Sequence, residues 1–116
     1  MWLLMNDSML SVIASDKDEN LLVVRARRPG DIHRVFGADV EEIHIPGRDY
    51  QVRSFLPRQR VADAIANRLL NTQYLNFKNS VGPNDNDLHD AYASVWHTLA
   101  SIQPIPPFSR AQRGRQ

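Results

Sequence analysis

The chain has 116 residues, enough for one domain of the usual size and too few for two. Its 42% hydrophobic and 23% charged residues are ordinary globular composition, and the lack of cysteine excludes a disulfide framework, a thiolate zinc site and a cysteine nucleophile. The net charge of +1 is unevenly spread. Positions 1–103 hold 13 acidic and 11 basic residues, and Arg110, Arg113 and Arg115 supply the remaining three cations. A body this close to neutral argues against a dedicated, strongly basic DNA binder and leaves nucleic-acid binding only to a local patch.

The opening Met1-Trp2-Leu3-Leu4-Met5 is apolar, but Asn6-Asp7 ends it and no basic stretch precedes it. A secretory core needs about 7–15 apolar residues. A membrane helix needs roughly 18, and no run approaches that length. The sequence therefore predicts a cytoplasmic protein with no membrane partner.

Leu3-Leu4-Met5 and Met9 to Ala14 flank Asn6-Asp7-Ser8, whose side chains favour turns, and together they predict a β-hairpin. After the solvated turn Asp16 to Asn20, the branched run Leu21 to Arg27 predicts a strand. Pro29-Gly30-Asp31 opens a short helix through Phe36, with Asp31 as its cap and Gly37 as its stop. Val40 to Ile45 and Tyr50 to Leu56 read as strands joined by the Pro46-Gly47-Arg48-Asp49 turn.

Pro57 suits a helix start. Val61, Ile65 and Leu69, with Ala62 and Ala66 beside them, form the stripe of a helix closed by Asn71. Tyr74 to Val81 is a mixed aromatic and polar connection, with its aromatics as anchors, and Gly82 to Asn86 is loop. A last helix from Asp87 to Gln103 carries Leu88, Ala91, Tyr92, Val95, Leu99 and Ile102 on one face and stops at Pro104.

The element order is thus β-hairpin, β, α, β, β, α, α. Leu21 to Asn71 makes up most of a ferredoxin-like split β-α-β unit, and the N-terminal hairpin can supply the missing strand. The expected fold is α+β: a mainly antiparallel sheet of four or five strands with two or three helices on one face. Residues 1–103 are expected to form a single domain, and 104–116 a Pro- and Arg-rich flexible tail.

Period-two alternation assigns the strand faces. It sends Ile43, Ile45, Tyr50, Val52, Leu56, Leu22, Val24 and Ala26 inward. Arg25, Arg27, Arg53, Phe55 and His44 go to the outer face, where cations interleaved with an aromatic ring suit a phosphate backbone and a stacked base. The same residues equally suit a solvated sheet, and Glu41 and Glu42 nearby weaken an anion site.

The remaining candidates are thinner. Arg25-Ala26-Arg27-Arg28 precedes a helix start, but a capping Asp31 would fill its free N–H groups. No GxGxxG or GxxxxGK[ST] loop is present, so no nucleotide cofactor is expected. His33, His44, His89 and His97 are scattered without the i+3 or i+4 pairing of helical metal sites, so no metal is expected either. His89 shares the polar side of the last helix with Asp90 and His97, which align about 10 Å apart with Ser94 between them, yet a helix surface supplies no oxyanion hole.

Trp2 with Asn6, the run Leu22 to Arg28, Asp49-Tyr50 leading to Pro57-Arg58, Tyr74 to Val81, and Leu88-His89-Asp90-Ala91-Tyr92 with Trp96 together resemble a family of small, uncharacterised bacterial proteins. The resemblance spans residues 2–103 and implies a compact bacterial domain. It carries no catalytic or binding residue with it. On sequence alone, the expectation is a non-enzymatic binding or regulatory protein acting through a protein partner or by self-association. Two rivals are a nucleic-acid-binding module using the outer face, and a small hydrolase using His89, Asp90 or His97.

Overall fold

Asn6, Asp7 and Ser8 turn the chain between β1 (Trp2–Leu4) and β2 (Met9–Ala14), which pair antiparallel with Leu3 opposite Leu10. In this computed structural model, which describes residues 1–108, the chain continues through β3 (Leu21–Ala26), α1 (Asp31–Phe36), β4 (Ile43–His44), β5 (Val52–Pro57), α2 (Arg58–Leu70), α3 (Phe77–Ser80) and α4 (Asn86–Ala100). Arg110, Arg113 and Arg115 of the expected tail lie outside the described residues. The chain forms two compact units, Met1–Leu75 and a second beginning at Asn76.

The first unit holds the whole five-stranded sheet, in the order β1-β2-β3-β5-β4, with every neighbouring pair antiparallel. The fold is α+β. β5 lies between β3 and β4, so the segment β3-α1-β4 is split by a later strand, and β2 takes the place beside β3. Leu10, Val12, Val24, Ala26, Val52 and Leu56 point to one face and cluster with Ile32 and Phe36 of α1 and Val61 of α2. Both helices of this unit therefore cover the same side of the sheet. Ser54 sits in this apolar layer because its hydroxyl donates to the Glu41 carbonyl oxygen at 2.5 Å.

The helix boundaries differ from expectation in instructive ways. Gly30, not Asp31, caps α1, in a left-handed conformation (φ 92°) open to glycine. Asp31 instead turns a carboxylate, 2% exposed, into a hub. It accepts from Met9 N at 3.2 Å, from Arg28 Nε at 3.3 Å and from Arg34 Nη1 at 2.6 Å. One buried anion thereby ties the hairpin to the loop before α1 and to α1 itself. Nearby, Arg68 of α2 forks onto both carboxylate oxygens of Asp7 at 2.8 and 3.1 Å and donates to the Arg34 carbonyl oxygen. On α2 only Val61 is buried; Ile65 and Ala64 pack at the core edge, while Ala62, Ala66 and Leu69 are exposed, contrary to the expected stripe. The cause is Arg68, which takes the inward position in the last turn.

In the second unit, Asn76 caps α3 by accepting from Asn79 N at 3.0 Å, which makes a helical turn of a segment expected to be irregular. Asp85 caps α4 by accepting from Leu88 N at 3.3 Å. The Phe77 and Tyr92 rings meet at 5.2 Å.

Removing the Asp31 carboxylate takes the acceptor from the Met9 N–H and from two partly exposed arginines, and orphaning such a donor costs about 1–3 kcal/mol. Asp31→Ala is therefore expected to lower the free energy of unfolding by that amount in urea titrations. Asp49→Ala, which breaks only an exposed pair with Arg27, should leave the midpoint nearly unchanged.

Candidate binding face on the outer side of the sheet

The side of the sheet turned away from α1 and α2 is organised by two registers of opposed residues. Residues directly opposite one another share a face. The first row runs Trp2, Ser11, Arg25, Arg53, Ile43 across β1, β2, β3, β5 and β4. The second runs Ile13, Val23, Phe55 across β2, β3 and β5. Neighbouring strands are about 4.8 Å apart and alternate residues along a strand about 7 Å apart. Trp2 therefore sits roughly 10 Å from Arg25, and Phe55 one repeat from Arg53.

Two arginines thus lie directly opposite each other at the centre of the sheet. Like charges in that relation are destabilising by roughly 0.2–1 kcal/mol. Arg25 is held by its neighbours: its Nη2 donates to Ser11 Oγ at 2.7 Å, and its guanidinium lies 4.5 Å from the centre of the Tyr50 ring. The Arg27 guanidinium lies 4.4 Å from the same ring and also donates to the Asp49 backbone and carboxylate oxygens at 2.8 and 3.0 Å. Stacked cations of this kind gain from the negative ring face.

Arg25 and Arg53 nevertheless keep buried Nε groups without a hydrogen-bond partner. Among the described residues, neither has a carboxylate within ion-pair distance, and no outer-row position is acidic. The exposed aromatics of this face are Trp2 at 67% and Phe55 at 41%, with Ile13 beside them at 42%.

Arg25, Arg53 and Phe55 thus share one face, with Arg27 just past the end of β3. Two residues do not follow the expected pattern. His44 is opposite Val52 and belongs to the helix side, whereas Ile43 is opposite Arg53 and faces outward. Pairing in β4 is confined to Ile43–His44, and this short edge strand is set one residue out of the predicted alternation. Tyr50, expected inward with Val52, places its ring under the outer arginines because the chain leaves strand geometry before Val52. Sequence reading missed Tyr50, Ser11 and Trp2 as parts of this face. Register from the hairpin was the signal that would have found Ser11 and Trp2.

The other candidates separate. Glu42 receives Gly30 N at 3.2 Å and stands 3.7 Å from His33 Nδ1 and 3.3 Å from His44 Nε2, so the fold brings together two histidines that are eleven residues apart in sequence. His33 Nε2 is spent on the Val40 carbonyl oxygen at 2.7 Å, and among the described residues no group of three or more His, Asp or Glu is placed to hold a metal ion. Glu42 is thereby drawn away from the outer face. His89, Asp90, Ser94 and His97 are all exposed on α4, without the enclosed pocket that a hydrolase reading requires. Arg28 and Arg34 at the start of α1 are both engaged by the Asp31 carboxylate.

An open groove of about 390 Å³ runs between β1 and the end of α2, lined by Leu3, Met5, Ile65, Leu69, Asn71 and Tyr74 among others. Among the described residues, no helix is long and apolar enough to cross a membrane. No protein-family model, curated protein or solved structure matches this chain.

Replacing one of the facing cations by an apolar residue of similar length relieves the repulsion without opening a cavity. Arg53→Met is expected to preserve the fold and to raise stability by a few tenths of a kcal/mol, up to about 1. Chemical denaturation at low salt reads that gain, which shrinks as salt screens the wild-type repulsion.

Proposed function

We propose that this protein is a non-enzymatic binding module whose outer sheet face takes an anionic partner. The observation that supports this is the Arg25–Arg53 pair: two cations opposed across β3 and β5, with no carboxylate of the described residues within ion-pair distance of either. An anion held by the guanidinium ends of this pair offsets the repulsion between them, and hydrogen bonds to charged groups are the stronger kind. Tyr50 and Ser11 hold Arg25 in place, so little side-chain freedom is lost on binding.

Retention on heparin and polyphosphate tests this reading. Binding is expected at low salt and should weaken as salt rises. The double variant Arg25→Met, Arg53→Met should lose about tenfold or more in affinity, in keeping with the net worth of charged hydrogen bonds. Equal binding by the double variant and the parent would sink the reading.

A second reading, association between copies or with a protein partner, is favoured by exposed Leu69, Leu70 and Leu75 at 70%, 85% and 104%. Leu69 and Leu70 are neighbours in the last turn of α2, and contiguous exposed apolar surface marks interaction sites. Light scattering over a concentration series should then show a mass above the monomer that Leu69→Lys, Leu70→Lys removes. A constant monomer mass would exclude self-association.

A further inference from the structure

We infer that the groove between β1 and the end of α2 receives Leu70 of a second copy of this chain, in a contact repeated about a two-fold axis. The inference rests on the association reading above, is independent of the anion reading, and adds which surfaces meet. Every residue it uses belongs to the first unit, Met1–Leu75. Leu3 and Ile65 line the groove and also pack against the apolar cluster, so the core holds the hollow in shape. Leu69 lines it too, and Leu70 follows in the last turn of α2, 85% exposed. Projection and hollow thus lie side by side on one patch. Two copies related by a two-fold bury each projecting leucine in the other's groove, and the contact closes at two chains.

At about 390 Å³ the groove has the size of a small-ligand pocket, but its polar groups argue against that occupant. Asn71 Nδ2 donates to the carbonyl oxygen and Oδ1 of Asn67 at 2.8 and 3.0 Å, and Thr72 Oγ1 donates to the Arg68 carbonyl oxygen at 2.9 Å. A small-molecule site fixes its ligand with a few convergent polar groups, and these are turned back on their own helix. A small ligand would also leave Leu70 in water.

Charge favours a second copy over a different protein. In a two-fold contact a patch meets its own twin, so an uncompensated charge would repel itself. Among the described residues, Arg68 is the one charged side chain lining the groove, and Asp7 compensates it through bonds of 2.8 and 3.1 Å. The groove therefore carries no free charge to oppose its twin. A different protein is ordinarily selected by complementary charge, and this surface offers none.

Sedimentation of the full chain over a concentration series tests the inference. The expected mass approaches that of two chains and rises no further. Leu70→Lys removes the projection, and Thr72→Trp sets a bulky ring over the groove; both positions are exposed, so both variants keep the fold. Each pair buries Leu70 twice, so Leu70→Lys should weaken pairing about a hundredfold or more. Thr72→Trp should weaken it comparably. The decisive sample mixes the two variants. The intact leucine of the Thr72→Trp chain then meets the open groove of the Leu70→Lys chain, one contact of the two is rebuilt, and pairing should recover to within about tenfold of the parent.

Pairing that is lost in Leu70→Lys, kept in Thr72→Trp and not recovered on mixing overturns the groove as receiver and leaves the association reading standing. Loss in both variants without recovery overturns it as well, since Leu70 and the groove then do not face each other. A mass that climbs past two chains overturns the two-fold in favour of a head-to-tail contact. A constant monomer mass up to about 1 mM overturns the inference together with self-association, and leaves the groove to a different protein.

Discussion

The Asp31 carboxylate is the contact on which the first unit depends. It is buried, yet it accepts from a backbone N–H of β2 and from two arginines that flank it in sequence. A buried charge is tolerable only when paired and fully hydrogen-bonded, and here the pairing is done by segments that would otherwise have no reason to meet. Arg34, once oriented by Asp31, offers its carbonyl oxygen to Arg68, and Arg68 reaches back to Asp7 in the hairpin turn. The apolar cluster drives collapse. This polar chain fixes how the hairpin, α1 and α2 are set against one another, and so fixes the register in which the outer rows line up.

That register explains how much was readable beforehand. The hairpin, β3, the Pro46-Gly47 turn and β5 follow from alternation and turn chemistry, and Val24, Ala26, Val52 and Leu56 sit in the core as period two demands. The same rule fails at β4, because two residues are too few for alternation to have a phase; only pairing with β5 tells that Ile43 and not His44 accompanies Arg53. Asp31 was misread as a cap since local sequence cannot show that a glycine at positive φ frees it for long-range partners. The Leu69 stripe was misread because an arginine with a distant carboxylate outcompetes a leucine for the inward position. α3 was hidden by its shortness, although the Asn76 cap was present in the sequence.

The outer face shows a related division between composition and arrangement. Arg25, Arg53 and Phe55 were assignable from alternation alone. What alternation could not supply was their alignment: whether the two arginines stand in one row or are staggered, and whether acids share it. A row of opposed cations free of carboxylates is a property of pairing across strands twenty-eight residues apart in sequence. The near-neutral charge of the body concealed it, since three of the acids, Asp7, Asp31 and Glu42, are engaged elsewhere by Arg28, Arg34, Arg68 and the histidines.

Both margins of the sheet are very short, three residues at β1 and two at β4. Margins this brief offer few free backbone groups for another strand to lengthen the sheet. Crowding of many copies is therefore compatible with each copy keeping its own hydrogen-bond ladder. Contacts between neighbours would pass through side chains and stay reversible, where a longer margin would invite the chains to fuse into a fibre.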